Sequence, residues 1–282
     1  MATPDLEMDK ATFIAFDTET TGLYPVSARL VEIGATRFTA AGDEIAVFEQ
    51  LIDPESDIPP EVQQVNHITN QMVRGQPTVE AVMPRFLAFL GSSDTILIAQ
   101  NAPFDVGFIG VDLIRLGLAF PTHLIFDTKL LAQAVMPLLP SYSLVNLATM
   151  LGISMGQKHR ALADARLTRD VFLTLLAEAA SVKTIADLGN LSKPIVFESS
   201  RIYETKPPIG FEDLASAIQQ KHRIVMVYAG GTKGEEPREV TPRAILGYGG
   251  IVYLAAFCHG DAREKVYRLD RIKNYHLVPR SR

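Results

Sequence analysis

Three apolar stretches of this chain run into acidic residues, and that pattern restricts the folds open to it more than any other feature. Residues 12–16 lead into Phe16-Asp17-Thr18-Glu19-Thr20-Thr21-Gly22. Residues 95–99 lead into Asn101-Ala102-Pro103-Phe104-Asp105, and His159-Arg160-Ala161-Leu162-Ala163-Asp164 opens a long apolar-patterned segment. An ionised carboxylate against apolar neighbours is costly unless something pairs with it. A chain that holds Asp17, Glu19, Asp105 and Asp164 in such places is expected to bring them together around a cation.

At 282 residues the chain is long enough for two domains with separate cores. A hydrophobic content of 47% with 21% charged residues is that of a globular protein. The single cysteine, Cys258, excludes an internal disulfide framework and fits a reducing cytoplasm. The first residues have neither a basic n-region nor an apolar h-region, and residues 244–258 are too short and glycine-broken to span a bilayer. The expectation is a soluble cytoplasmic protein with no membrane association. Charge is uneven: residues 1–194 carry 13 Lys+Arg against 22 Asp+Glu, while residues 195–282 carry 14 against 10. An acidic catalytic half with a basic appendage suits an anionic substrate gripped by the second half, and simple drift in surface charge explains the same numbers equally well.

The periodicity predicts strands over 12–16, 29–39, 44–52, 95–99 and 124–127, with a turn at Ala40-Ala41-Gly42-Asp43. Helices are predicted over 78–90, 106–116, 130–135, 144–151 and 161–179. Three successive strands followed by strand–helix alternation argue for an α/β fold, a mixed sheet flanked by helices. Residues 191–210 hold Pro194, Pro207 and Pro208 without sustained periodicity and read as a linker. Beyond it, a helix over 211–221 and short strands over 224–228, 238–240, 244–248, 251–257 and 265–268 suggest a small barrel or sandwich. The expected division is therefore 1–190, a linker over 191–210, and 211–282.

Side chains two apart in a strand face the same way, so Asp17 and Glu19 point into one site. Two carboxylates that close repel unless one is protonated or a cation lies between them. The all-oxygen donor set suits magnesium or manganese. Asp105 follows the fourth strand, so sheet pairing can carry it beside the first, and Asp164 lies in the first turn of a helix near its positive end. His159, in a loop beside them, has an imidazole suited to taking a proton from water. Each feature alone has a plain structural explanation: a solvated turn, a cap, a surface histidine. Asp43, Asp53 and Asp127 are read as turn or cap residues. The joint occurrence in order is what points to chemistry.

These three segments resemble the motifs of the DEDDh exonucleases, the group typified by the proofreading epsilon subunit of bacterial DNA polymerase III, over about residues 11–180. The resemblance implies an RNase H-like fold and two-metal 3′→5′ removal of nucleoside monophosphates, from DNA more than RNA and at single-stranded or frayed ends. It implies that Asp17, Glu19, Asp105 and Asp164 hold two magnesium ions, with manganese able to substitute, and that His159 is the general base. It further implies that Thr20 meets the 3′-terminal hydroxyl, that Leu23 meets the terminal base, and that His67, Asn101 and Phe104 line the same pocket.

The second half is similar to a WYL domain, a small SH3-like β-barrel, through Arg238-Glu239-Val240-Thr241-Pro242, Ile251-Val252-Tyr253-Leu254-Ala255-Ala256 and Tyr267-Arg268-Leu269-Asp270-Arg271-Ile272. Val252 stands where the signature Trp would be, and the chain has no Trp. The resemblance implies a surface for nucleic acid or a nucleotide-like ligand at Arg238, Tyr253, Arg268 and Arg271, since arginine forks suit phosphates and tyrosine stacks on bases. A buried Tyr253 with arginines in ordinary surface pairs is the equal alternative. Other readings kept open are an RNA exonuclease with the same site, a sensor of nucleic-acid ends, and a homodimer.

Overall fold

The computed structural model describes residues 4–156, 160–230 and 234–279. The chain divides into two compact units, the first made of 1–23, 28–109 and 120–199 and the second of 24–27, 110–119 and 200–282.

In the first unit, β1 (Thr12–Thr20), β2 (Leu30–Thr39) and β3 (Glu44–Leu51) form an antiparallel meander. Three helices follow: α1 (Pro60–Asn66), α2 (Asn70–Val73) and α3 (Val79–Leu90). Next come β4 (Ile96–Ala99), α4 (Pro103–Leu116), β5 (Ile125–Asp127), α5 (Thr128–Val135), α6 (Leu144–Met150), α7 (Ala161–Glu178) and α8 (Ile185–Leu191). The sheet order is β3-β2-β1-β4-β5, with β4 and β5 parallel to β1. This is the mixed sheet flanked by helices that the periodicity predicted. The helices α1, α2 and α8 were not foreseen: α1 and α2 bury a single residue each and Gly189 interrupts α8, so none presents the apolar stripe that marks the equally short α6.

The core lies mainly between the sheet and α7. Phe13 of β1 packs on Phe38 of β2 and Phe172 of α7, with ring centroids 5.5 and 5.3 Å apart. Phe13 and Ala15 belong to this cluster, and strand alternation puts Asp17 and Glu19 on the same face, just past its edge. On the opposite face Phe16 packs against Phe86 and Phe197. Phe197 and Ile195 lie in the segment read from the sequence as a linker. Ile195 exchanges two 2.9 Å backbone hydrogen bonds with Ile125, and Phe197 is fully buried.

The second unit contains α9 (Asp213–Gln219), β6 (Ile224–Tyr228), β7 (Arg238–Tyr248), β8 (Ile251–Cys258), β9 (Arg263–Arg268) and β10 (Ile272–Leu277). The two short strands expected over 238–248 are one strand with an irregularity between Pro242 and Ala244, because proline cannot donate to a ladder and a bulge absorbs it. All pairings are antiparallel, in the order β10-β6-β7-β8-β9. The expected barrel is not closed: among the described residues no ladder joins β9 to β10. The 3-10 turn Leu269–Arg271 carries the chain between them and buries Leu269 instead. Ile224, Met226, Leu254, Tyr267 and Ile272 form the core beneath α9, with Leu214 and Ala217.

Candidate active site

Asp17 and Glu19 project from the end of β1, and Asp164 from the first turn of α7. One ligand oxygen from each lies within 4.8 Å of the other two. Two features of β2 make this approach feasible. Gly34 pairs with Asp17, and a Cβ built on it would lie 2.0 Å from the Leu162 nitrogen, so only glycine lets the start of α7 rest on the sheet here. Glu32 pairs with Glu19 and is wholly buried. Its carboxylate accepts from Arg160 Nε (3.1 Å) and Arg160 Nη2 (2.6 Å), and from the Ala161 backbone N–H at 2.9 Å. That clasp fixes the N-terminus of α7, and with it Asp164, against β1.

Asp105, in the first turn of α4, is buried and tied to β1 from the other side. Its Oδ1 accepts from the Thr18 backbone N–H (2.8 Å) and from Thr18 Oγ1 (2.6 Å). The loop before α4 is set by Asp127, whose carboxylate accepts from the backbone N–H groups of Asn101 (2.9 Å), Ala102 (3.2 Å) and Lys129 (2.9 Å). Asp127 is thus both the N-cap of α5 and the clamp of the Asn101 turn, the cap role expected of it.

The electrostatics follow from this crowding. Burial, then the neighbouring charges of Asp164, Glu32 and Asp105, push the Glu19 carboxyl up to about 8. Burial raises Asp105 to about 7 against the lowering effect of the Thr18 hydrogen bonds. Asp17 is held well above its ordinary range by burial and by Asp105, Glu19, Asp164 and Glu32. Arg160, whose charge Glu19 also feels, is already engaged by Glu32. Acids that resist ionising together, with oxygen as the donor type among the described residues, are what a hard divalent cation relieves.

The remaining candidates fall in different places. His159 lies outside the described residues. Thr20 is buried and its hydroxyl donates to the Gly22 carbonyl at 2.7 Å, closing the turn after β1. Leu23, on that turn, is 72% exposed. His67 is exposed in the left-handed C-cap of α1, with φ 58°. The side chain that reaches inward is its neighbour Asn66, buried, whose amide donates to the Thr20 carbonyl (3.4 Å) and bonds to Glu19. Asn101 is exposed and accepts from Lys129 Nζ at 3.1 Å, and Phe104 packs on Phe108 with centroids 5.0 Å apart. Sequence reasoning missed Glu32, Gly34 and Asn66. The signal for Glu32 was present, a lone acid inside the apolar run Leu30-Val31-Glu32-Ile33, but its partner sits 128 positions away.

In the second unit, the Arg238 guanidinium lies 5.4 Å from the Tyr228 ring centroid and donates to the Gly230 and Gly234 carbonyls. Arg268 neighbours Tyr253 across the β8–β9 ladder and is forked onto Asp270 at 3.0 and 2.7 Å. Arg271 is exposed beside Gly230. Tyr228, not foreseen, is the residue around which Arg238 and Arg268 gather, and Tyr253 is half-buried against a cluster that includes Ala244 and Leu246.

The chain is similar to known proteins in both of its halves. The family model RNase_T, described as exonuclease, matches residues 14–172, and the WYL domain model matches residues 210–277. The DNA polymerase III epsilon subunit of Treponema pallidum is 40% identical over 174 residues, covering 61% of this chain and 80% of that one. A PolC-type DNA polymerase III of Clostridium perfringens is 35% identical over 181 residues, which are 64% of this chain but only 12% of the relative. The solved structure of exonuclease X in complex with 5′-overhanging duplex DNA superposes with a TM-score of 0.50 at 25% identity, over 64% of this chain and 98% of that one.

Proposed function

The chain belongs to the RNase_T exonuclease family and carries a WYL domain, and from that premise we propose that it is a metal-dependent 3′→5′ exonuclease acting on the single-stranded or frayed 3′ ends of DNA. The observation that carries the reading is the convergence of Asp17, Glu19 and Asp164 within 4.8 Å, with Asp105 anchored to the residue between the first two.

Asp17, Glu19, Asp105 and Asp164 would hold magnesium, with manganese as a substitute. The cations would neutralise the carboxylates and draw charge from the scissile phosphodiester in the transition state. The chain's own groups do the rest. Glu32 and Thr18 keep Asp164 and Asp105 from relaxing away from β1, so the site is held in place before substrate arrives. Leu23 offers an exposed apolar side chain to the terminal base, and the Thr20 hydroxyl retains an acceptor position for the terminal 3′-hydroxyl. His159 takes the proton of the attacking water as the new P–O bond forms. The P–O3′ bond breaks, the departing oxygen is protonated, and a nucleoside 5′-monophosphate leaves a strand one residue shorter. We assign residues 1–190, with the stretch to Ser199 that packs on them, to the exonuclease domain, and 211–282 to the domain that grips or guides nucleic acid.

The test is digestion of 5′-labelled and 3′-labelled oligonucleotides, DNA and RNA, single- and double-stranded, with magnesium or EDTA. Stepwise shortening of the 5′-labelled strand that needs magnesium and disappears in Asp17→Ala is expected. Shortening that persists in Asp17→Ala, or a parent protein inert on all four substrates, would sink the proposal. Faster digestion of RNA than DNA would overturn the substrate assignment alone.

A further inference from the structure

The turn that follows Leu23 leads straight into an aromatic cluster that the catalytic reading does not use. The Tyr24 ring lies 5.1 Å from that of Tyr248, and Tyr203 stacks on Tyr248 at 6.3 Å with 28° between the planes. Tyr24 is 52% exposed and Tyr248 is 37% exposed, in a chain whose largest buried side chains are phenylalanines. All three tyrosines belong to the second compact unit.

These rings are not loosely placed. Val26, two residues beyond Tyr24, is buried in a cluster with Val111, Ala244, Leu246 and Ala255. The buried Arg115 donates to the carbonyls of Pro25 (3.2 Å) and Val26 (2.9 Å) and is itself held by Asp112 at 2.8 Å. Tyr248 sits at the tip of the β7–β8 hairpin, paired with Ile251 across Gly249 and Gly250, whose φ values of 57° and 76° define a tight turn that favours glycine at both positions. Tyr203 ends a short 3-10 segment, and two residues later the Thr205 N–H donates to the Ile245 carbonyl at 3.0 Å. Three separate backbone segments therefore aim three rings at one half-open patch. In the same unit, Lys206, Lys221 and Arg243 line a cleft of about 440 Å³ that also includes Thr205.

We propose that Tyr24, Tyr203 and Tyr248 form a stacking platform for the unpaired bases of single-stranded DNA. The inference rests on the reading above that the chain acts on single-stranded or frayed DNA. Half-exposed aromatic faces in a unit that also carries a cleft lined by Lys206, Lys221 and Arg243 suit single-stranded nucleic acid, because every base has a π-face and every linkage a phosphate. A duplex hides its base faces and would not engage the platform.

The absence of tryptophan provides a direct probe. Tyr248→Trp introduces a single tryptophan, excited selectively over the tyrosines, into the full-length chain, and Tyr24→Trp is the substitute position if the first variant fails to fold. Titration in EDTA with a single-stranded 12-mer should quench its emission, while an abasic 12-mer or a blunt duplex should not. Kinetically, the double variant Tyr24→Ala/Tyr248→Ala should raise KM for the 12-mer about tenfold, the loss of roughly one base stack. Its hydrolysis of a thymidine 5′-monophosphate aryl ester with magnesium should match the parent. No quench by the 12-mer, equal quench by the abasic strand, or equal loss on ester and 12-mer would each overturn the platform. A parent inert on both substrates would overturn the exonuclease reading instead, and the fluorescence result would still stand by itself.

Discussion

Glu19 and Asp105 carry charge where the fold resists it. The Glu19 carboxyl moves from its ordinary 4.5 to about 8, and that of Asp105 from 3.8 to about 7. Raised carboxyl values mean that the folded state binds more protons than the unfolded chain between the ordinary and the raised values. Stability without metal therefore falls as pH rises through that window. Urea unfolding in EDTA should show a falling midpoint from about pH 5 to pH 8, and magnesium should recover most of the loss by binding the deprotonated set. A midpoint indifferent to pH in EDTA would contradict this account of the cluster. Glu32 makes a sharper case. Removing it leaves Arg160 without its buried partner and the Ala161 N–H without its acceptor, so Glu32→Ala should cost about 3 kcal/mol by chemical denaturation. Because Glu32 positions Asp164 and touches no substrate, Glu32→Gln, which can still accept from Ala161, should lower kcat more than it alters KM.

At the scale of elements, the contact between β2 and α7 decides whether a site exists. Gly34→Ala places a methyl group where the backbone of Ala161 and Leu162 now lies. The first turn of α7 must lift, and a displacement near 1 Å at a catalytic group is worth on the order of 10²-fold in rate. The expected result is a variant that keeps its circular dichroism spectrum and loses most of its magnesium-dependent cleavage. The strands were legible in the sequence because their apolar runs are long and end in acids or turn residues, as at Ala40-Ala41-Gly42-Asp43. α7 was legible for the same kind of reason, with Leu167, Val171, Phe172 and Leu175 on one buried stripe. The glycine beneath it was not, since nothing near Gly34 in the chain says that a helix about 130 positions later will land there. α8 went unforeseen although it has a complete capping box, Thr184 and Asp187, because Gly189 breaks its short apolar stripe.

Across the whole molecule, the compact units do not follow the chain in two blocks. The first unit extends to Ser199, and the second takes in 24–27 and 110–119. Phe197 tests this. Read from sequence it is a linker residue, while in the fold it is fully buried against Phe16, one position from Asp17. Phe197→Ala should therefore destabilise the catalytic unit by about 3–5 kcal/mol, as for a core phenylalanine, where a linker position would show no effect. Thermal unfolding followed with and without magnesium separates the two, since the metal-stabilised transition should be the one that moves.

The chemistry and the ladder follow from local patterns. The order of apolar runs and turns dictated a mixed sheet, the two-residue spacing of Asp17 and Glu19 put both on one strand face, and the acids at strand ends required a common counter-charge. Those are local rules of periodicity and burial, which a chain obeys before its distant parts meet. Packing between distant segments selects the groups that hold the site in register. The Glu32–Arg160 clasp, the Gly34–Leu162 contact, the inward turn of Asn66 rather than His67, and the meeting of Tyr24 with Tyr248 all join positions remote in the chain or set a side-chain direction. Such contacts are fixed by packing, and no local pattern encodes them.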